Sequence, residues 1–452
     1  MSALGEVALI YGPILFLLWW FYARRIRSAS HEAAAILRVS EGAGLMQPAS
    51  LHPIIDSSKC LGCGACVEVC PEKSVLGLVG SKARLITPAD CIGHGACKEA
   101  CPFDAIRLVL GTEERGIDLP IVSEDFESNV PGIFVAGELG GMGLIRNGIE
   151  QGKQAIESIA RFCDGNLQRM ATPPQDPDST ETGDLLDVVI IGAGPAGLAA
   201  SLAAKERGLR FETLEQESLG GTVAHYPRGK IVMTAPVDLP LYGPVELKET
   251  TKEALLSLWE TVIQDTGVQI QYGARVERVE PLSNGLFMVQ ATTRRLRTRT
   301  VLLAIGRRGT PRKLGVPGEA ESKVLYRLVD PSQFAGQHIL VVGGGDSALE
   351  AAAALSEVSG TEVTLSYRND TFGRAKPKNR SAVLQAAKAG RLRVELSSKV
   401  VAIDGASVEL ETTQGAIHLD NDAVIVCAGG ILPTDFLRSI GIEIVTKRGE
   451  IE

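Results

Sequence analysis

Apolar residues concentrate in short runs along this chain, each closed by a polar or glycine-rich turn. Leu186–Ile191 and His338–Val342 are such runs, and each leads straight into a glycine loop and then a helical pattern, Ala-rich after the first. A run of that length bounded by turn residues is consistent with a buried strand of a parallel sheet. Glu362–Tyr367 and the residues before Cys427 read as further strands, and Gly148 to Arg161 as a helix. One run is longer. Val7 to Ala23 is uncharged, ends in Trp19-Trp20-Phe21-Tyr22, and is followed by Arg24, Arg25 and Arg27. Interfacial aromatics followed by arginines predict a single-pass inner-membrane anchor, with everything after Arg24 cytoplasmic. The run is slightly short of the ~20 residues a span prefers. A helix lying in the interface or buried by a partner is the alternative. A cleaved signal fits worse, because no positive segment precedes the run.

At 452 residues the chain has room for roughly three domains. A net charge of −8 without a long basic run argues against nucleic acid as a partner. Glycine is abundant, at 49 residues, but forms no simple repeat, which favours dinucleotide loops over low complexity. Seven of the nine cysteines lie in two tight clusters of a long chain, the pattern of metal binding in a reducing compartment.

The first cluster is Cys60, Cys63, Cys66 and Cys70, followed by Pro71. Three cysteines at two-residue intervals wrap one iron–sulfur cubane, and the fourth reaches another cluster. A zinc site would normally use two separated pairs. The second run has Cys91, Cys97 and Cys101-Pro102, with His94 where its second cysteine would stand. The segment resembles bacterial ferredoxins with two [4Fe–4S] clusters. That resemblance implies Cys60, Cys63, Cys66 and Cys101 around one cluster, and Cys91, Cys97, Cys70 and His94 around the other. Two alternatives stay open: His94 ligates and raises the potential, or it does not and a [3Fe–4S] cluster results.

Leu186–Ile191 runs into Gly192-Ala-Gly194-Pro195-Ala196-Gly197, and Glu215 followed by Gln216 ends the next apolar segment. Glycines admit a pyrophosphate at the helix N-terminus, and the acid is placed for a ribose hydroxyl. The second loop is Gly343-Gly-Gly345-Asp346-Ser347-Ala348. Its strand ends without an acid and leads into Arg368, with Arg374 and Lys376 close behind. Arginines favour a 2′-phosphate, so NADPH is expected before NADH; a solvated basic loop is the alternative reading.

Two such units in tandem resemble the low-molecular-weight thioredoxin reductase group of flavoproteins. Supporting motifs are Gly220-Gly221-Thr222, Leu303-Ala-Ile-Gly306 and Val426-Cys-Ala-Gly429. The resemblance implies FAD on the first unit and NAD(P)H on the second. That group closes its flavin site with a late motif, which here comes early, as Val130-Pro-Gly-Ile-Phe-Val-Ala-Gly137-Glu138. Glu138 stands where the group has Asp. The order implies a circularly permuted flavin domain, tolerable because domain termini lie close together at the surface. The group's Cys-x-x-Cys is also missing: Lys323 to Gln333 contains no cysteine, and only Cys163 and Cys427 lie outside the clusters.

The expected fold class is α/β: two Rossmann-like three-layer dinucleotide-binding domains, a small α+β ferredoxin-like domain and an N-terminal transmembrane helix. Expected boundaries are an anchor at 1–24, a linker at 25–54 and the ferredoxin-like domain at 55–110. A permuted part of the FAD domain follows at 111–165, then a linker at 166–184 and the main FAD domain at 185–309. The NAD(P)H domain takes 310–428, and 429–452 returns to the FAD domain. The expected reaction is hydride transfer between NAD(P)H and FAD, with single electrons passing through two clusters to or from a redox protein or membrane complex. No side chain is assigned a catalytic role; His225, Tyr226 and Lys230 lie in a polar loop near the expected flavin ring. A homodimer is kept open. The rival functions are a bacillithiol-type disulfide reductase and an electron-entry subunit of a membrane complex.

Overall fold

The computed structural model describes residues 3–42, 46, 48, 51–91, 93–112, 116–141, 143–166, 185–226, 228, 231–233, 236–246, 249–282, 284–292, 294–307, 309–373 and 375–449. The chain divides into two compact units, Met1–Ile117 with Lys447–Glu452, and Asp118–Thr446.

The first unit opens with one helix, Ala3–Gly42. The expected linker at 25–54 is therefore helical through Gly42. The physical reason is plain in retrospect: Ser28 to Ser40 holds no glycine or proline, and its alanines favour helix. Ala33 and Leu37 are buried against Ile86, which fixes that end of the helix. Gly77 lets the helix approach, since a Cβ there would lie 2.8 Å from the Ala33 Cβ. The expected membrane anchor at 1–24 is not supported. Among the described residues no helix is long and apolar enough to cross a membrane. The side chains of residues 3–12, 14, 18 and 22, on which much of that expectation falls, lie outside the described set.

Two hairpin-like pairs follow, His52–Ile55 with Ile106–Val109, and Leu76–Val79 with Lys82–Leu85, both antiparallel. Between them sit two short helices, Ala65–Val69 and Ala96–Glu99. Their shared core holds Val75, Leu76, Ala105 and Ile106 with five buried cysteines, Cys60, Cys66, Cys70, Cys91 and Cys97, and half-buried Cys101 packs against it.

The second unit contains a seven-stranded sheet and a five-stranded one. In the first, Leu186–Ile191 lies between Phe211–Leu214 and the long strand Arg295–Leu303, parallel to both. Ile133–Val135, from far earlier in the chain, pairs parallel with Val301–Leu303. The helix Ile145–Asn166 then crosses Pro195–Glu206 so closely that a Cβ on Gly152 would meet the Ala196 carbonyl oxygen at 2.1 Å. The early segment is also tied to the C-terminal end. Asn129 donates to the Gly441 carbonyl at 2.9 Å, and Thr446 donates to Asp118 at 2.6 Å. Leu437, Ile440 and Ile442 share a core with Ile133 and Val135. The expected linker from Pro173 to Gly183 lies outside the described residues. The second sheet is parallel throughout, in the order Val324–Leu325, Ala423–Val426, His338–Val342, Glu362–Tyr367, Leu392–Leu396. The architecture is mixed α/β, with a Rossmann-like flavoprotein region and a ferredoxin-like region.

Candidate functional site

The cysteines gather into two groups in the first unit. Cys60, Cys63, Cys66 and Cys101 line one small pocket, with Leu61, Ala83 and Phe103. Cys70, Cys91, Cys97 and His94 line another, with Glu72 and Leu108. Both sets are the ones the ferredoxin resemblance implied. Among the described residues no three His, Cys, Asp or Glu groups close on a point tightly enough for a single metal ion. Donors that surround a space rather than converge suit a multi-iron cluster better than zinc. Burial pushes the Cys97 thiol up to about 11, with the neighbouring Cys91 and Cys70 adding to it. Burial likewise raises Cys66, Cys70 and Cys91. Thiols bunched in an apolar pocket resist ionising, and a polynuclear cation would supply the charge that makes them thiolates. The donor set fits iron–sulfur clusters. Burial lowers the His94 imidazole, against the pull of Glu72 and Glu99, and so favours its neutral form.

In the second unit a cavity of about 870 Å³ opens at the carboxyl ends of the first sheet, where open α/β sheets hold ligands. Gly192, Gly194, Pro195, Ala196, Glu215, Gln216, Gly221, Thr222, Gly306, Gly137 and Glu138 all line it. Gly197 does not. Its role is packing, because a Cβ there would lie 1.8 Å from the Gly192 carbonyl oxygen. The buried Glu215 carboxylate accepts the Ala193 and Glu217 N–H groups, each at 2.8 Å, which fixes it at the rim of the loop. Gly137 sits at φ +81° and donates to Gln151 at 2.8 Å, so the long helix pins the turn carrying Glu138. The Gly194–Pro195 step starts a helix whose N-terminal residues Gly194, Pro195 and Ala196 line this space, an end that suits a pyrophosphate. A dinucleotide fits here.

His225 and Tyr226 also line the cavity, whereas Lys230 lies outside the described residues. His225 contacts Arg327 through Nδ1 and Glu217 through Nε2, the latter at 3.2 Å, and Arg327 reaches Glu217 at 3.0 Å. Arg228 pairs with Asp330 at 3.1 Å. These charges join the flavin half to the nucleotide half, and sequence reading missed them because partners about a hundred positions apart leave no local signal. It also missed the helix Thr434–Ser439, which brings Asp435 and Phe436 to the cavity wall.

At the second glycine loop, Gly343 has φ +144° and Gly344 faces the Tyr367 ring, where a Cβ would stand 2.3 Å from Cζ. Gly345 borders open space, and Asp346, at the head of the helix that carries Ser347 and Ala348, accepts from Lys376 N–H and Asn379. Arg368 is exposed just beyond the strand end; Arg374 lies outside the described residues. A separate groove of about 720 Å³, around His338, Glu362 and Asn421, lies at the amino ends of the same strands, away from this loop. Cys163 packs in the first sheet's helical layer and Cys427 beside the second sheet's core.

Residues 189–451 match the pyridine nucleotide-disulphide oxidoreductase family, and residues 52–102 match the 4Fe-4S dicluster domain. A ferredoxin–NADP reductase of Ignicoccus hospitalis is 29% identical over 268 residues, 58% of this chain and 83% of that protein. One from Thermus thermophilus is 31% identical over 282 residues, 60% of this chain and 80% of that protein. The solved bacillithiol disulfide reductase of Bacillus cereus superposes with a TM-score of 0.51 at 22% identity, covering 57% of this chain and 82% of that one. At that identity the likeness speaks for the fold alone. With its flavin-type cavity, its second glycine loop and its cysteine-lined pockets, the chain belongs to the pyridine nucleotide-disulphide oxidoreductase family, as an NAD(P)H-dependent FAD and iron–sulfur oxidoreductase.

Proposed function

We propose that this protein moves electrons between NADPH and a small iron–sulfur protein of the ferredoxin type, through a flavin and two clusters of its own. The observation that carries the reading is the pairing, in one chain, of the cavity holding Glu215, Glu138 and Gly306 with two cysteine-lined pockets. When bound, FAD supplies the exchange between hydride and single electrons. The chain's own part is to hold and orient. With FAD bound, Gly192, Gly194 and Gly221 would leave room for its pyrophosphate, Glu215 would take its ribose hydroxyls and Glu138 would hold its ribityl chain. Arg368 favours the 2′-phosphate of NADPH. A dithiol relay is ruled out of this reading by Lys323–Gln333, which has no cysteine. The segment from 118 to 166 is read as the displaced end of a circularly permuted flavin domain. Its pairing with Val301–Leu303 and its bonds to Gly441 and Glu443 support that. The relatives named ferredoxin–NADP reductase support the partner class.

The helix Ala3–Gly42 is proposed to seat the protein on the cytoplasmic face of a membrane, on the strength of exposed Trp19, Trp20 and Phe21 next to Arg24 and Arg25. Membrane fractionation that leaves the full chain soluble overturns that part alone.

The test is a split assay. Purified protein should reduce ferricyanide with NADPH, and Cys66→Ser should keep that activity while losing most ferredoxin reduction. Equal activity towards ferredoxin in both proteins overturns the reading. The second reading, a bacillithiol-type reductase, rests on the shared fold; NADPH-dependent turnover of a small disulfide, unaffected by Cys66→Ser, would favour it.

A further inference from the structure

We propose that His94 is the fourth ligand of the second cluster, bound through Nε2, so that one cluster carries four thiolates and the other three thiolates and an imidazole. This rests on the reading that the chain holds two four-iron clusters, and it deepens that reading by fixing a ligand set.

Three observations carry it. The first is a repeated loop. Cys63 stands between Gly62 at φ +70° and Gly64 at φ +83°, and His94 between Gly93 at φ +75° and Gly95 at φ +86°. Gly64 and Gly95 each cap a short helix bearing the next ligand, Cys66 or Cys97, with ψ of −6° and −13°. The first glycine is obligatory in both, because a Cβ would lie 2.1 Å from the Ser81 carbonyl oxygen or 2.5 Å from that of Leu51. The same device therefore holds both loops, and position 94 occupies the place of a ligand.

The second observation is where the side chain goes. His94 lines the cavity shared by Cys70, Cys91 and Cys97. The third is its nitrogen. His94 Nε2 is buried and has no hydrogen-bond partner in the structure. Leaving such an atom unpaired is unfavourable, and a bond to iron would offset that. Replacing thiolate by neutral imidazole leaves the cluster less negative, so its potential should stand above that of its all-cysteine counterpart.

The experiment uses the full-length holoprotein. Pulsed EPR of the reduced protein should show strong imidazole nitrogen coupling on one cluster and not on the other. His94→Cys should keep the iron content of two four-iron clusters, lose that coupling and lower the midpoint of that cluster alone. His94→Ala should show a three-iron EPR signal when oxidised, while the signal of the first cluster serves as an internal check on folding. A native protein without imidazole coupling, or one that already shows the three-iron signal, overturns the assignment while leaving the clusters in place. Iron content too low for any cluster in the native protein overturns the underlying reading instead.

Discussion

At the first glycine loop the strand Phe211–Leu214 hands over to Glu215, whose carboxylate is held at the loop by two backbone N–H groups. At the second, the strand Glu362–Tyr367 ends on a ring pressed against Gly344 and is followed by exposed Arg368. The scaffolds are alike: a buried parallel strand, a glycine turn, and a helix capped by a glycine, Gly194 in the first and Gly345 in the second. The difference lies in the residues just past the neighbouring strand. An anion there suits a ribose with free hydroxyls, and a cation suits one bearing phosphate. Two loops of common plan thereby carry opposite charges at their rims, the basis for proposing different nucleotides.

The strongest break of this comparison comes from the third glycine of each loop. Gly197→Ala puts a methyl into the Gly192 backbone, so the variant should lose about 3 kcal/mol of stability and most of its bound flavin. Gly345 has φ −94° and open space around it. Gly345→Ala should keep the wild-type melting temperature and flavin content, while weakening NADPH because a methyl stands where phosphate approaches. Thermal unfolding with flavin absorbance separates the two. Similar melting temperatures for both variants would show that the packing role assigned to Gly197 is mistaken.

Next in size is nucleotide choice. Arg368→Ala should raise the KM for NADPH about tenfold or more, the equivalent of one charged hydrogen bond, while NADH changes less than about twofold. Steady-state kinetics with both nucleotides decides it, and equal losses would remove Arg368 from the phosphate site. The smallest effect is expected at the opposite rim. Glu215→Gln keeps an acceptor oxygen for one backbone N–H and loses the charge, so flavin affinity should fall by roughly 1 kcal/mol, about fivefold. Flavin release followed by fluorescence measures it; unchanged affinity would mean that the carboxylate's charge contributes nothing.

What could be read in the sequence was local. The cysteine pattern, through its ferredoxin resemblance, grouped eight candidate ligands into the same two sets that line two pockets, because short loops keep most of each set together. The glycine motifs placed the flavin cavity for the same reason, and the early Val130–Glu138 motif pointed to a strand that does join the first sheet. Non-local features were illegible. Arg327 meeting Glu217, and Phe436 lining a cavity with Gly192, depend on how distant segments pack. The stretch from Arg25 was misread as linker because its polar residues hide a narrow apolar stripe of Ala33 and Leu37, too sparse to mark a periodic face. Gly197 was legible as part of a motif, but its partner was not: the motif names a pyrophosphate, and the contact is a carbonyl of its own loop.

That N-terminal helix has a geometric consequence. From Leu15 to Leu37 it contains neither proline nor glycine, and at about 1.5 Å per residue that stretch spans roughly 33 Å. One end is clamped on Ile86 of the cysteine-bearing core, and the other carries bare aromatic rings. The helix is therefore a spacer of set length. Any surface that received Trp19 and Phe21 would stand at a fixed remove from the helix's packing on Ile86.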